Sequence, residues 1–165
     1  MGVRNCADIG ENLQKITTRL MANDRLVNLL YYTGKDPYSE SPLTEQQKKE
    51  LIFEKLIKIV PRINAEEKET ATSIVSIRVT RGRQNSENSE FKDMLIEVET
   101  FVPLTQWIIK DTNLRPFAIM GEVQKSLNGK TINGLGKMAG GDFELNFLSE
   151  EMSSYVQMFY ITSYE

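Results

Sequence analysis

The feature that most limits what this chain can fold into is a change of hydrophobic period near residue 70. Before it apolar residues recur at helical steps, and after it they alternate. Ile9, Leu13, Ile16 and Leu20 are spaced four, three and four apart, which draws one apolar stripe along an amphipathic helix. Asn23 and Asp24 offer a cap for a second, short helix carrying Leu26, Val27, Leu29 and Leu30, with Gly34 as its stop. Residues 34–43 are rich in turn formers and read as a surface loop. Thr44 and Gln47 have the spacing of a capping box, which opens a third helix. Its buried side is expected to hold Ile52, Phe53, Leu56, Ile59 and Val60, with Lys48, Lys49, Glu50 and Glu54 in water and Pro61 closing it. A charged connector over 65–70 follows.

From Val75 the period is two. Val75, Ile77 and Val79 alternate with Ser76, Arg78 and Thr80, and Met94, Ile96 and Val98 alternate with Asp93, Glu97 and Glu99. The polar stretch between them, 81–90, is long enough to project from a hairpin. One strand buries odd positions and the other even ones, so the register must set odd against even. The expected register places Ile77 opposite Ile96 and Arg78 diagonal to Glu97. Asn113 and Pro116 mark a fourth helix, with Phe117, Met120, Val123 and Leu127 on its buried face and Gly129 just past its end. A short strand near Ile132, a glycine-rich turn, and strands around Phe143, Leu145 and Phe147 and over 155–164 complete the chain. The expected fold is one α+β domain spanning 1–165, a mainly antiparallel β-sheet flanked by N-terminal and central α-helices.

Composition removes most chemistry. The chain has no histidine and a single cysteine, Cys6. Histidine general acid/base catalysis, Ser/His/Asp or Cys/His pairs, His-ligated metals, structural zinc and intrachain disulfides are therefore excluded within one chain. No cofactor and no metal are expected. Twenty basic residues against 23 acidic ones give a net charge of -3, which does not favour duplex DNA as the leading partner. No run approaches the roughly 18 apolar residues that span a bilayer, and the N-terminus lacks an apolar secretory stretch. Its opening residues depart from a myristoylation signal at Cys6. A protein made in the cytoplasm is the expectation.

Four features remain as candidates. The cluster Asn133–Gly141 invites a phosphate-loop reading, but Thr131 and Met138 stand where that loop needs glycine and Ser/Thr, so a tight turn is expected. Asp93, Glu97 and Glu99 share one strand face with steps of about 7 Å between alternate residues, a spacing that could serve a magnesium-dependent nuclease or simply a solvated, ion-paired face. Arg78, Arg81 and Arg83 form a basic group beside the hairpin, suited to phosphates, acidic neighbours or a partner subunit. The last strand, from Tyr155 to Tyr164, is apolar on both faces and so needs cover on both, as a central strand or against another subunit.

Taken in order, several segments form a pattern. They are Leu29-Leu30-Tyr31-Tyr32, Asp36-Pro37, the arginine-bearing hairpin, residues 96–102, Leu114-Arg115-Pro116, Leu127-Asn128-Gly129, the turn 132–137 and the aromatic final strand. Over residues 8–164 this pattern resembles the neck and tail-terminator proteins of tailed bacteriophages. The resemblance implies a non-enzymatic virion subunit, commonly a homohexameric ring that caps the tail tube and joins it to the head connector. Its partners would be copies of itself, tail-tube proteins and head–tail connector proteins, with DNA met only in passage through the lumen and no membrane involved. On this reading the expected partner-contact residues are Arg78, Arg81, Arg83, Glu97, Glu99, Lys137, Tyr155 and Tyr160. The 81–91 hairpin and the 130–141 turn are expected to reach toward neighbours or the lumen. The alternatives are a small nuclease using Asp93, Glu97 and Glu99 with magnesium, and a monomeric adaptor that binds one partner by strand addition.

Overall fold

The N-terminal stripe becomes helix α1 (Cys6–Met21), burying Leu13, Ile16 and Leu20, with Ile9 packed at the margin of the core. The structure, a computed structural model, describes residues 6–60, 63–64, 66, 71–84 and 91–162, of which 91, 92 and 162 by backbone alone. Helix α2 (Asp24–Tyr31) starts where Asn23 Oδ1 accepts the Leu26 N–H, and it buries every residue from Leu26 to Leu30. It ends at Tyr32, before Gly34. The capping box forms in full at helix α3 (Glu45–Leu51): Thr44 Oγ1 accepts from Gln47 N at 3.2 Å, and Gln47 Oε1 accepts from Thr44 N at 2.9 Å.

Two expectations about this third helix need correction. It stops at Leu51 and does not run to Val60. Residues 52–56 tighten into turns, Glu54 takes a left-handed φ of 59°, and Ile57–Lys58 becomes strand β1. The β-branched run Ile57, Ile59 and Val60 favours extended backbone, and pairing with the neighbouring strand satisfies it. Lys48 is also not in water. The residue is only 4% exposed, and its ammonium meets Asp24 at 2.8 Å and Glu45 at 3.1 Å while the stem packs inward.

The period-two half folds into a curled sheet of β2 (Ile74–Gln84), β3 (Phe91–Pro103), β4 (Thr131–Ile132), β5 (Gly136–Leu148) and β6 (Met152–Thr162). The order is β1-β2-β3-β6-β5-β4, and every pairing except β1 with β2 is antiparallel. The fold is α+β, as the change of period implies. Register in the β2–β3 hairpin is odd against even, but two residues further along than expected: Ile77 faces Val98, and Arg78 lies directly opposite Glu97. A bulge between Val79 and Arg81 then shifts the pairing, so that Arg81 faces Leu95 and Arg83 faces Asp93. That one extra residue moves Arg81 and Arg83 off the core side, where Val75 and Ile77 point, onto the face of Arg78.

Helix α4 (Arg115–Leu127) covers the other face, and Gln157 Nε2 of β6 donates to its Met120 carbonyl at 3.1 Å. Its core face holds Ile119, Met120, Val123 and Leu127, whereas Phe117, expected to be buried, is exposed. The helix begins after Leu114 without a side-chain cap from Asn113. Arg115 is 1% exposed and meets no carboxylate among the described residues. Its guanidinium donates to four carbonyls: Gln106 at 3.0 Å, Leu29 at 2.7 Å, Tyr32 at 2.9 Å and Gly34 at 2.5 Å. Burial lowers its pKa, but a guanidinium has margin enough to stay charged. Its partners Leu29, Tyr32 and Gly34 sit at the carbonyl end of α2, where the helix dipole favours a cation.

At the other end of α2, buried Glu122 accepts from Asn23 at 3.1 Å and pairs with Lys125 at 2.9 Å and Arg25 at 3.3 Å. Burial alone would raise its pKa, but these hydrogen bonds and charges outweigh it and hold it below the ordinary carboxyl value.

Two outcomes follow from these contacts. Arg115→Leu leaves four carbonyls without their donor and should cost about 3–5 kcal/mol in urea unfolding. Arg115→Lys should recover only part of this, because three ammonium donors cannot reproduce the planar fork. For Glu122 the folded pKa is depressed, so its contribution is present above the unfolded carboxyl pKa and lost as pH falls through the folded value. Glu122→Gln should therefore destabilise at pH 7, and the gap to the unmodified protein should close as the pH falls through the acid range, read from thermal unfolding midpoints.

Candidate functional site

On the sheet face away from α4, strand pairing sets Arg78 beside two acids. Its Nη2 lies 2.8 Å from Glu97 Oε2, its Nε donates to the same oxygen at 2.9 Å, and its Nη1 lies 2.5 Å from Glu99 Oε2. The remaining Glu99 oxygen accepts from Asn146 Nδ2 at 2.7 Å and Ser154 Oγ at 2.5 Å. Glu99 is 2% exposed, so this carboxylate is buried with both oxygens engaged. Burial alone would lower the pKa of Arg78, but the hydrogen bonds and charges of Glu99 and Glu97 hold it above the ordinary guanidinium value. The network binds β2, β3, β6 and β5 across one face, an arrangement suited to setting strand register.

The three carboxylates considered for metal-assisted cleavage are not brought together. Asp93 lies four residues from Glu97 along β3, roughly 13 Å away at strand rise, opposite Arg83 and Thr162. Glu97 and Glu99 turn toward Arg78. Among the described residues no group of three His, Cys, Asp or Glu side chains could hold a metal ion, and no helix is long and apolar enough to cross a membrane.

The other expected contact residues scatter. Arg81 and Arg83 are exposed near the far end of β2, and neither makes an ion pair among the described residues. The hairpin tip, 85–90, lies outside the described residues. Lys137 is exposed at the start of β5. The turn before it folds back on α1: Lys15 Nζ donates to the Asn133 carbonyl at 2.8 Å, and a Cβ on Gly134, whose φ is +88°, would come within 2.4 Å of Asn12 Oδ1. Strand β6 is central, between β3 and β5, and its residues Met152 to Ser154, Val156, Gln157, Phe159 and Ile161 are buried. Tyr160 stays exposed on the Arg78 face. Tyr155 lies on the α4 side in an aromatic cluster, with ring centroids 5.1 Å from Phe117, 6.1 Å from Phe143 and 6.2 Å from Trp107.

Among the described residues the sheet leaves two long edges open. Strand β1 covers β2 only at Val75–Ser76, and β4 covers β5 only at Gly136–Lys137. Beyond those pairs, β2 from Arg78 to Gln84 and β5 from Asp142 to Leu148 have no further strand alongside among the described residues. The β5 edge is also apolar: Phe143 is 54% exposed, Leu145 53% and Leu148 66%. Its interleaved residues Asp142 and Glu144 are exposed and acidic. A long open edge carrying apolar side chains is a template for strand addition.

Sequence reasoning singled out Arg78, Glu97 and Glu99 and missed Asn146 and Ser154, which carry no distinguishing local pattern and meet Glu99 only through the β3–β6–β5 order. It also missed Asp142 and Glu144 as a pair, although their alternation with Phe143 and Leu145 was available to find them. Replacing Glu99 by alanine strands Arg78 on a largely covered face and should cost about 2–4 kcal/mol. The double variant Arg78→Met, Glu99→Met should cost less than Glu99→Ala alone, as measured by urea unfolding.

A family model described as YomW matches residues 23–162 of the chain, and no curated protein matches it.

Proposed function

We propose that this chain, which belongs to the YomW family, is a structural virion protein of a tailed-phage neck. In this reading it is a ring-forming tail terminator that caps the tail tube and joins it to the head connector. The observation that supports it most is the pair of open sheet edges, with Phe143, Leu145 and Leu148 exposed along β5. A monomer seldom leaves such an edge unprotected, because unpaired backbone groups beside apolar side chains invite another strand. A ring needs one interface that repeats by rotation and closes, made from two different patches of each subunit. Two open edges at opposite ends of one sheet are two such patches.

The charge balance fits the same role. Net charge -3 with no basic excess would let DNA pass through a lumen without being held by its phosphates. The subunit would be made in the host cytoplasm and end in the virion, with copies of itself, tail-tube and connector proteins as partners.

The test is direct. Purified protein at high concentration, or added to tails lacking a terminator, should give closed rings in negative-stain images. Leu145→Ser with Leu148→Ser should abolish ring formation while changing unfolding free energy by less than about 1 kcal/mol, since exposed side chains add little to monomer stability. Rings that persist with both leucines replaced would overturn the role given to this edge.

A further inference from the structure

The strands β2, β3, β6 and β5 run alternately up and down, so the two open edges belong to strands of opposite direction on the same sheet. If the β5 edge of one copy meets the β2 edge of the next with the sheet faces aligned, the new pair is antiparallel like every other pair around it. The chemistry of the two edges is complementary. On the Arg78 face β2 ends in Arg81 and Arg83; on that same face β5 carries Asp142, in register with Met158 and Glu97, and Glu144, in register with Val156 and Glu99. We propose that copies of this chain join head to tail by edge pairing of β5 with β2, with Glu144 opposite Arg81 and Asp142 opposite Arg83. This inference rests on the reading of the chain as a self-assembling part and names the interface it uses.

Three details favour this register. The same alignment places Phe143 opposite Gly82 on the other face, where an aromatic ring covers the bare backbone of a strand glycine. The bulge between Val79 and Arg81 is what brings Arg81 and Arg83 to the face of the acids, so an irregularity in the ladder acquires a purpose at the edge. Like-with-like pairing is disfavoured by the same charges: two β5 edges crossing at Phe143 would set Asp142 against Glu144, and two β2 edges crossing at Gly82 would set Arg81 against Arg83. Within the chain Arg83 stands opposite Asp93 without an ion pair among the described residues, and Arg81 stands opposite Leu95, itself in register with Tyr160. Head-to-tail contact of this kind closes into a ring or runs on as a filament, never stopping at a symmetric dimer.

Charge reversal tests it. Arg81→Glu with Arg83→Glu gives a subunit acidic at both edges, and Asp142→Arg with Glu144→Arg gives one basic at both. Each should fold, as shown by circular dichroism and thermal unfolding, and each alone should self-associate at least about a hundredfold more weakly than the unmodified chain in sedimentation. Mixed in equal amounts, the two should recover association, and so should one chain carrying all four reversals. Oligomers that neither reversal disturbs, or two weakened variants that fail to rescue each other, would overturn the edge pairing and leave the ring reading standing. An unmodified chain that remains monomeric at its highest soluble concentration and on added tails would overturn both.

Discussion

A buried guanidinium held by four backbone carbonyls is the contact on which the helical half depends. Arg115 stands in the first turn of α4 and reaches the last carbonyls of α2 and the segment that follows β3. Those carbonyls have no intrahelical donor, as at any helix end, and in a buried place each would be costly to leave bare. One side chain with five donors therefore answers a need created by two separate stretches of chain. It also sets where α4 lies on the sheet, and hence which face is covered. Helix α4 packs on β3, β5 and β6, and α2 packs on α4.

The opposite face is organised by a second buried charge, and the two differ in kind. Arg115 is neutralised by dipoles, Glu99 by an ion pair and two hydrogen bonds from neighbouring strands. Each partner of Glu99 comes from a different strand, so a slip of any strand would break a contact with a buried charge. Apolar alternation repeats every two residues and tolerates a slip of two, whereas this network does not. The register of the hairpin differs from the apolar expectation by just that step, and direct opposition of Arg78 and Glu97 is what the shifted register provides.

This explains what was legible in the sequence. The helical stripe of α1, the caps of α2 and α3 and the two periods of β2 and β3 all depend on neighbours within a few residues, and they could be read directly. The end of α3 could not, because β1 exists only by pairing with Val75 and Ser76, far along the chain. Lys48 looked solvated for the same reason: its partner Asp24 belongs to another helix. Phe117 fell on an apolar stripe, yet it lies at the sheet margin beside Phe143 and Tyr155, where the helix overhangs the core. Of the eight expected contact residues, Arg78, Glu97 and Glu99 meet in one network, while Arg81 and Arg83 reach the same face only because of a bulge that no local signal announced.

The proposed assembly through sheet edges of this size would have an energetic consequence. A few paired residues and two exposed ion pairs make a weak contact taken singly, since surface charges in water contribute little and are screened by salt. In a closed ring each subunit is held at two such contacts, so removing one requires breaking both, and the closing step is intramolecular with a high effective concentration. Under the proposed function, weak edges would thus permit a dissociated subunit at low concentration and a durable ring once enough copies are gathered, for example on the end of a tail tube. Stronger edges would remove that separation, because a long apolar β5 without Asp142 and Glu144 would pair with any strand it met. In the proposed assembly the acids interleaved with Phe143 and Leu145 would therefore be part of the specificity of the edge, restraining wrong pairings as much as attracting the right one.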